Sequence, residues 1–399
     1  MSKPVYIVGA GRTAIGAFGG AFKNYSAIKL GTDCAKGVMK KFNIPEEAIE
    51  EVIIGNILSA GLGMNPARQV GINSGIPNTT PMFTVNKVCG SGLKAVALGA
   101  NSIKAEDKHL VMAGGIENMS MAPYYIPNAR WGLRMGNAEL VDHMIYEGLT
   151  DVFNQVHMGV TAEFIAEKYN ISREEQDKFA FESQQKYKKA MEQDKFKNEI
   201  IPISIPQRKG EPIVVDKDEH PRPDVTMEKL AKMRPAFKKD GTVTAGNASG
   251  INDGAAIVFL ADEESIKKYN LTPIAEIITY ASAGVEPMEM GLGPVPATLK
   301  ALEKANMKIS DIDLFELNEA FAVQSIGVIK LLKEKLGNFD ESKININGGA
   351  IALGHPIGAS GARILTTLLY ALKDKNLKTG LASLCIGGGQ GITMIVKMI

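Results

Sequence analysis

The pattern that most limits what this chain can become is an alternation of short apolar runs and helical periodicity that occurs twice. Residues 5–8 read as a buried strand, followed by a helix with Ile28, Leu30, Cys34 and Val38 on its apolar face. Strand-like runs at 51–57, 82–88 and 109–115 come next, the last two separated by a helix pattern on Leu93, Val96, Ala97, Ala100 and Ile103. Strands at 255–261 and 275–280 then lead into what reads as a second copy. A constant offset lays Val38 on Ala301, Ile49 on Ile312 and Val52 on Phe315. The turn Ser91-Gly92-Leu93-Lys94 resembles Ser360-Gly361-Ala362-Arg363, each opening a helix, and each copy ends in a glycine cluster (Gly114-Gly115 and Gly387-Gly388-Gly389). Such alternation predicts an α/β fold with a parallel sheet of βαβ units. Duplication predicts that equivalent helix N-termini meet around a pseudo-dyad, which would bring the Ser360 turn beside the Cys89 turn.

At 399 residues the chain exceeds what one core usually serves, so more than one domain is expected. A net charge of +1 gives no general attraction to nucleic acid or to an anionic membrane. No apolar run reaches the ~18–20 residues of a membrane span. The dispersed cysteines Cys34, Cys89 and Cys385, without a C-x-x-C or a His/Cys pair at zinc spacing, argue for a reducing compartment and against a disulfide scaffold or a metal site. No targeting segment is recognisable ahead of the first strand, so a cytoplasmic protein is expected. Gly9-Ala10-Gly11 lacks the third glycine of G-x-G-x-x-G, which speaks against a dinucleotide site. Between 119 and 248 the alternation lapses. Ser172 and Glu175 form a capping box there, and residues 222–239 are rich in Lys and Arg, which suits either a solvated face or a phosphate-bearing ligand.

Cys89 is delivered by a β-prone run to a turn with Gly90 and Gly92, at or just before a helix N-terminus. Unpaired N–H groups and the helix dipole there favour a thiolate over a thiol. A lone cysteine is more often a small buried hydrophobe, so this one needs a base and an oxyanion site from elsewhere. The glycine-rich run 347–358 holds His355 just ahead of a helix, where the imidazolium is disfavoured and the neutral ring can act as a base. Cys385 stands at a strand end before Gly387, and Asn318 follows the strand at 314–317. Four such elements at four strand or turn ends of one fold are hard to ascribe to coincidence.

The blocks N-K-V-C-G-S-G-L-K-A at 86–95, N-E-A-F-A at 318–322, G-G-A-I-A-L-G-H-P-I-G-A-S-G at 348–361 and C-I-G-G-G-Q-G at 385–391 resemble the thiolase family, specifically its short-chain acetyl-CoA acetyltransferases. The resemblance implies two duplicated α/β halves in a five-layer α-β-α-β-α core plus an inserted loop domain, usually as a homotetramer. The halves would be 1–118 with about 249–270, and 271–399, with 119–248 as the loop domain that binds coenzyme A. It implies Claisen condensation of two acetyl-CoA to acetoacetyl-CoA plus CoA, and the reverse thiolysis, with CoA thioesters as substrates and no further cofactor. Cys89 would carry the acyl group while His355 takes its proton, and Cys385 would move a proton at the second substrate. One oxyanion site would be His355 with a water held by Asn318, the other the N–H groups of Cys89 and Gly387. His157, Met158, Arg222, Ser249, Met290 and Phe321 match positions that bind the coenzyme or close the acyl pocket. A broader 3-ketoacyl-CoA thiolase is the neighbouring reading, and a non-catalytic acyl-CoA carrier on the same scaffold is the reading from another class.

Overall fold

Strands covered on both faces read as continuous apolar runs, and in the computed structural model, which describes residues 3–399, those runs assemble into one mixed sheet. Strands β1 (Tyr6–Arg12), β2 (Glu51–Gly55), β3 (Met82–Val85), β4 (Leu110–Asn118) and β5 (Asn252–Ala261) make one half. Strands β6 (Ala275–Gly284), β7 (Leu314–Leu317), β8 (Thr379–Ile386) and β9 (Gln390–Met398) make the other. From the centre outwards the halves run β1-β5-β4-β2-β3 and β6-β9-β8-β7. A bridge from Phe315 to Ile344 stands where the second counterpart of β3 would be. The two halves thus share one strand order, as the repeat predicts. They join where β1 meets β6, at Tyr6↔Glu276 and Ile7↔Ala275.

The sheet is not all parallel, which corrects the expectation. The pairs β2–β3, β2–β4 and β7–β8 are parallel, but β5 and β9 run antiparallel to their neighbours. In the second half the reversal is a tight turn at Gly387-Gly388-Gly389, where Gly388 and Gly389 have φ of 80° and 90°. Side chains are strained at such angles and glycine is not. The first strand also runs further than the expected 5–8, so that Gly9-Ala10-Gly11 lies inside β1. A Cβ on Gly11 would come within 2.7 Å of Val38, so these glycines let the helix Ala27–Phe42 pack closely on the strand.

Alternate residues of each strand enter different cores, which defines the layers. Val52 and Ile54 pack outward beneath Ala27–Phe42 and Pro66–Asn73, whereas Ile53, Val111, Val258 and Leu260 pack inward. The inward cluster contains the helices Ser91–Lys104 and Ser360–Lys375 and meets Leu384, Met394 and Val396 of the second half. Beyond that half, Phe315, Leu317 and Ile395 pack against Pro294–Ala305 and Ala322–Leu336. The sequence is helices, sheet, helices, sheet, helices: five layers.

Chain 119–251 leaves the sheet after β4 and returns at β5, β4's own antiparallel neighbour from Asp253↔Asn118 to Ala261↔Leu110. Its helix Met158–Tyr169 packs on the second half, and the capping box of Ser172 and Glu175 opens Arg173–Glu192.

The two central helices begin against each other. A Cβ on Gly361 would lie 2.4 Å from the backbone N of Leu93, and one on Gly92 would lie 2.9 Å from that of Ala362. The Ser360 turn and the Cys89 turn are therefore neighbours, as the duplication predicts. Gly115 of β4 is pressed as tightly, its missing Cβ falling 2.0 Å from the carbonyl oxygen of Gly358. Since both sides of that contact are backbone, Gly115→Ala is expected to destabilise the protein by about 1–3 kcal/mol or more. An unchanged thermal unfolding midpoint for this variant would contradict that packing.

Candidate active site

Cys89 owes its position to a strained turn. Val88 has φ of 44°, a left-handed angle that is costly for a β-branched residue. Neighbouring hydrogen bonds over-determine it. The Val88 N–H donates to Asn86 Oδ1 at 3.0 Å, the Lys87 N–H donates to Ser91 Oγ at 2.8 Å, and the Ser91 hydroxyl donates to Val88 O at 2.6 Å. The turn lifts Cys89 off the end of β3 to the start of Ser91–Lys104, part-buried and open to a cavity. The N–H groups of Gly387 and of Cys89 itself are directed at the sulfur. Even so, the expectation of a resting thiolate is corrected. Loss of water outweighs those donors and pushes the Cys89 thiol up to about 11.

A thiol of that kind needs a proton acceptor, and His355 is built as one. Its N–H donates to Asn252 Oδ1 at 2.9 Å, and its Nδ1 lies 2.6 Å from Ser360 Oγ. The Ser360 hydroxyl has one proton and donates it to Pro356 O at 2.9 Å. Nδ1 must then carry the ring proton, which leaves a lone pair on Nε2. That Nε2 is buried and has no partner among the described residues. Burial first, then the charge of Arg363, holds the ring's pKa down to about 3, so it is neutral. Neutrality was expected from a nearby helix end; burial and Arg363 are its causes.

Cys385 is the penultimate residue of β8 and is 1% exposed; burial, then the charge of Cys89, pushes its thiol upward. Asn318 follows β7, its N–H donating to Ser383 O at 2.9 Å. Its Nδ2 is buried without a partner among the described residues.

Cys89, His355, Cys385 and Gly387 line one cavity of about 470 Å³, together with His157, Met158, Arg222, Ser249, Met290 and Phe321. Asn318 alone of the sequence-derived site residues is not part of that lining. His157 accepts a hydrogen bond from the Gly159 N–H through Nδ1 at 3.0 Å and stacks on Phe237 at 4.7 Å, which meets Phe321 edge-on at 6.2 Å. Ser249 is held through its N–H on Ala320 O at 3.0 Å. Arg222 is exposed, and a second cavity of about 660 Å³ shares it, His220 and Ala245, and adds Lys229. The arrangement is a reactive end, an apolar sleeve and a basic mouth. The third cysteine, Cys34, is fully buried among apolar side chains on its helix, as the sequence suggested.

Sequence reading missed Ser360, Asn252 and Glu117. Glu117, fully buried in β4, accepts from Asn56 Nδ2 at 2.8 Å and from the N–H groups of Leu58, Ile57 and Gly358 at 3.1, 3.2 and 3.0 Å. It ties the His355 loop to the first half. A carboxylate interrupting an apolar strand was the available signal. The Ser360 and Asn252 contacts leave no mark on local sequence.

Because the Cys89 thiol is held up, its alkylation by iodoacetamide in the free protein is expected to keep accelerating from pH 7 to about pH 11. The rate is read at the Cys89 peptide by mass spectrometry, and a plateau reached by pH 8 would contradict the raised value.

Two family descriptions match the chain, "Thiolase, N-terminal domain" over residues 5–264 and "Thiolase, C-terminal domain" over residues 271–398. Proteins of Staphylococcus aureus strains COL and NCTC 8325, each named probable acetyl-CoA acyltransferase, are 55% identical over 393 residues, 98% of this chain and 98% of theirs. The crystal structure of Bacillus anthracis acetyl-CoA acetyltransferase matches with a TM-score of 0.95 at 42% identity, covering 100% of this chain and 99% of that one. That of human mitochondrial 3-ketoacyl-CoA thiolase in complex with CoA matches with a TM-score of 0.94 at 44% identity, covering 100% and 98%. With both family descriptions spanning it nearly end to end, this chain belongs to the thiolase family of acyltransferases.

Proposed function

We propose that the protein is an acetyl-CoA C-acetyltransferase that joins two acetyl-CoA into acetoacetyl-CoA and CoA, and runs the reverse thiolysis, through an acetyl group held on Cys89. The observation that carries this reading is the meeting of a thiol, a bare imidazole nitrogen and a second thiol in one cavity. In the first half-reaction the Cys89 proton passes to His355 Nε2 as the sulfur attacks the thioester carbonyl. The N–H groups of Cys89 and Gly387 stabilise the resulting oxyanion, a reading supported by their contact with the sulfur at which it forms. CoA leaves with the proton from His355, and a thioester remains on Cys89.

The second half needs a carbon nucleophile. Cys385 gives its thiol proton to His355 Nε2 and, as the thiolate, takes a proton from the methyl group of the second acetyl-CoA. The carbanion attacks the acetyl carbonyl on Cys89, the C–S bond breaks, and the Cys89 sulfur recovers a proton from His355. The oxygen of the second thioester is stabilised by His355, whose Nε2 carries a proton at this step, and by a water on Asn318 Nδ2, a donor with no other partner among the described residues. Arg222 and Lys229 at the mouth suit the phosphates of the coenzyme, and the apolar sleeve suits its pantetheine arm.

Met158, Met290 and Phe321 crowd the lining near the two thiols and support a short acyl group. The broader 3-ketoacyl-CoA reading predicts room there. Thiolysis rates separate the two. Acetoacetyl-CoA is expected to exceed 3-ketodecanoyl-CoA in kcat/KM by on the order of a hundredfold. Equal values would overturn the short-chain assignment and leave the thiolase chemistry standing.

A further inference from the structure

Asn318 is useful to a reaction only if its amide is turned the right way round. Its two ends differ by one rotation, and nothing in local sequence fixes which end points where. The helix Ser360–Lys375 supplies the constraint. Ser360 and Arg363 stand three residues apart in its first turn, hence on one face. Ser360 sets the tautomer of His355, and Arg363 faces Asn318.

Arg363 is 1% exposed, with Nη2 3.5 Å from Asn318 Oδ1 and Nη1 3.6 Å from Glu316 Oε2. A guanidinium offers donors and no acceptor. The end of the Asn318 amide that faces it must therefore be the oxygen, and the NH2 end is turned away. Nδ2 then has no partner among the described residues, nor has His355 Nε2. Glu316, in the interior of β7 and equally buried, supplies the counter-charge without which the guanidinium would be a lone buried ion. Nε and Nη1 of Arg363 make no hydrogen bond among the described residues.

We propose that Arg363, with Glu316 as its counter-charge, is a positioning residue that fixes the amide of Asn318 so that Nδ2 is presented as a donor to the water that meets the reacting thioester oxygen. This rests on the functional reading above and adds to it the residue on which the Asn318 donor depends. One helix turn then orients both members of that oxyanion site, His355 through Ser360 and Asn318 through Arg363.

The test is a double-mutant cycle of Arg363→Met and Asn318→Ala, read as kcat for condensation and as the rate of Cys89 acetylation by acetyl-CoA. Asn318→Ala is expected to slow turnover about a hundredfold or more. Arg363→Met is expected to cost at least tenfold alone and under threefold once Asn318 is already Ala, because both remove the same donor. Acetylation of Cys89, which uses the other oxyanion site, is expected to change less than threefold in either variant. An Arg363 effect that is as large in the Asn318→Ala background as in the parent overturns the proposal, as does parent-like turnover in Arg363→Met. Where Arg363→Met does not fold, Arg363→Lys, which keeps a cation for Glu316, takes its place in the same cycle with the same expectations. If the parent places no acetyl on Cys89, the functional reading falls, and a crystal structure of the Arg363 variant decides the positioning alone: an Asn318 amide left in place overturns it.

Discussion

The contact on which the rest of the molecule depends is the one between two helix N-termini. Gly92 and Gly361 let the backbones of the central helices approach to within a few ångström, closer than any side chain would permit. That approach sets the separation of the two halves and turns their sheets toward a common middle layer. It also places the strand and loop ends of both halves around one cavity. The nucleophile comes from the first half and the base, second thiol and amide from the second. None of these groups would make a site if the helices stood apart by the width of a methyl group.

The site works by withholding water. Burial raises both thiols and lowers His355, so the resting state is uncharged at all three positions. Charge therefore arises only when substrate arrives, among donors that are already aimed. The surrounding polar groups are fixed by one another rather than by solvent. Ser360 holds His355, Asn252 holds the backbone of its loop, and Glu117, fixed by three hydrogen bonds from the first half, ties that loop to it through the Gly358 N–H. A deeper network of Arg12, Glu199 and Asp218 joins β1 to the chain just ahead of His220 and Arg222, with Arg12 to Glu199 and Arg12 to Asp218 both at 2.6 Å. Such buried ion pairs add little net stability, but they fix geometry.

How much of this could be read from residues alone follows from what kind of information each feature needs. The equivalence of the two halves was legible because they repeat: Val52 and Phe315 occupy equivalent strands, as the offset required; the layering came only through the family resemblance. Cys89, His355 and Cys385 were legible because they sit in glycine-rich turns and strand ends, whereas the coenzyme-side residues came only through the family resemblance. The antiparallel β5 and β9 were not, since a short hairpin and a long excursion reverse direction without altering the apolar pattern. The first strand was read as ending at Val8 because glycine marks close packing as well as strand ends. The protonation of Cys89 was misjudged because a helix end is a local feature and burial is not. Ser360 and Arg363 were invisible as orienting groups because their partners are brought to them only by the fold.

The central claim is that Cys89 carries the acyl group between two substrates. Incubating the protein with acetyl-CoA and digesting it for mass spectrometry tests this directly. The account predicts a single added acetyl on the Cys89 peptide, absent from Cys34 and Cys385 and removed by added CoA. A folded protein that shows no adduct at Cys89, or carries it on Cys385 instead, would contradict the account.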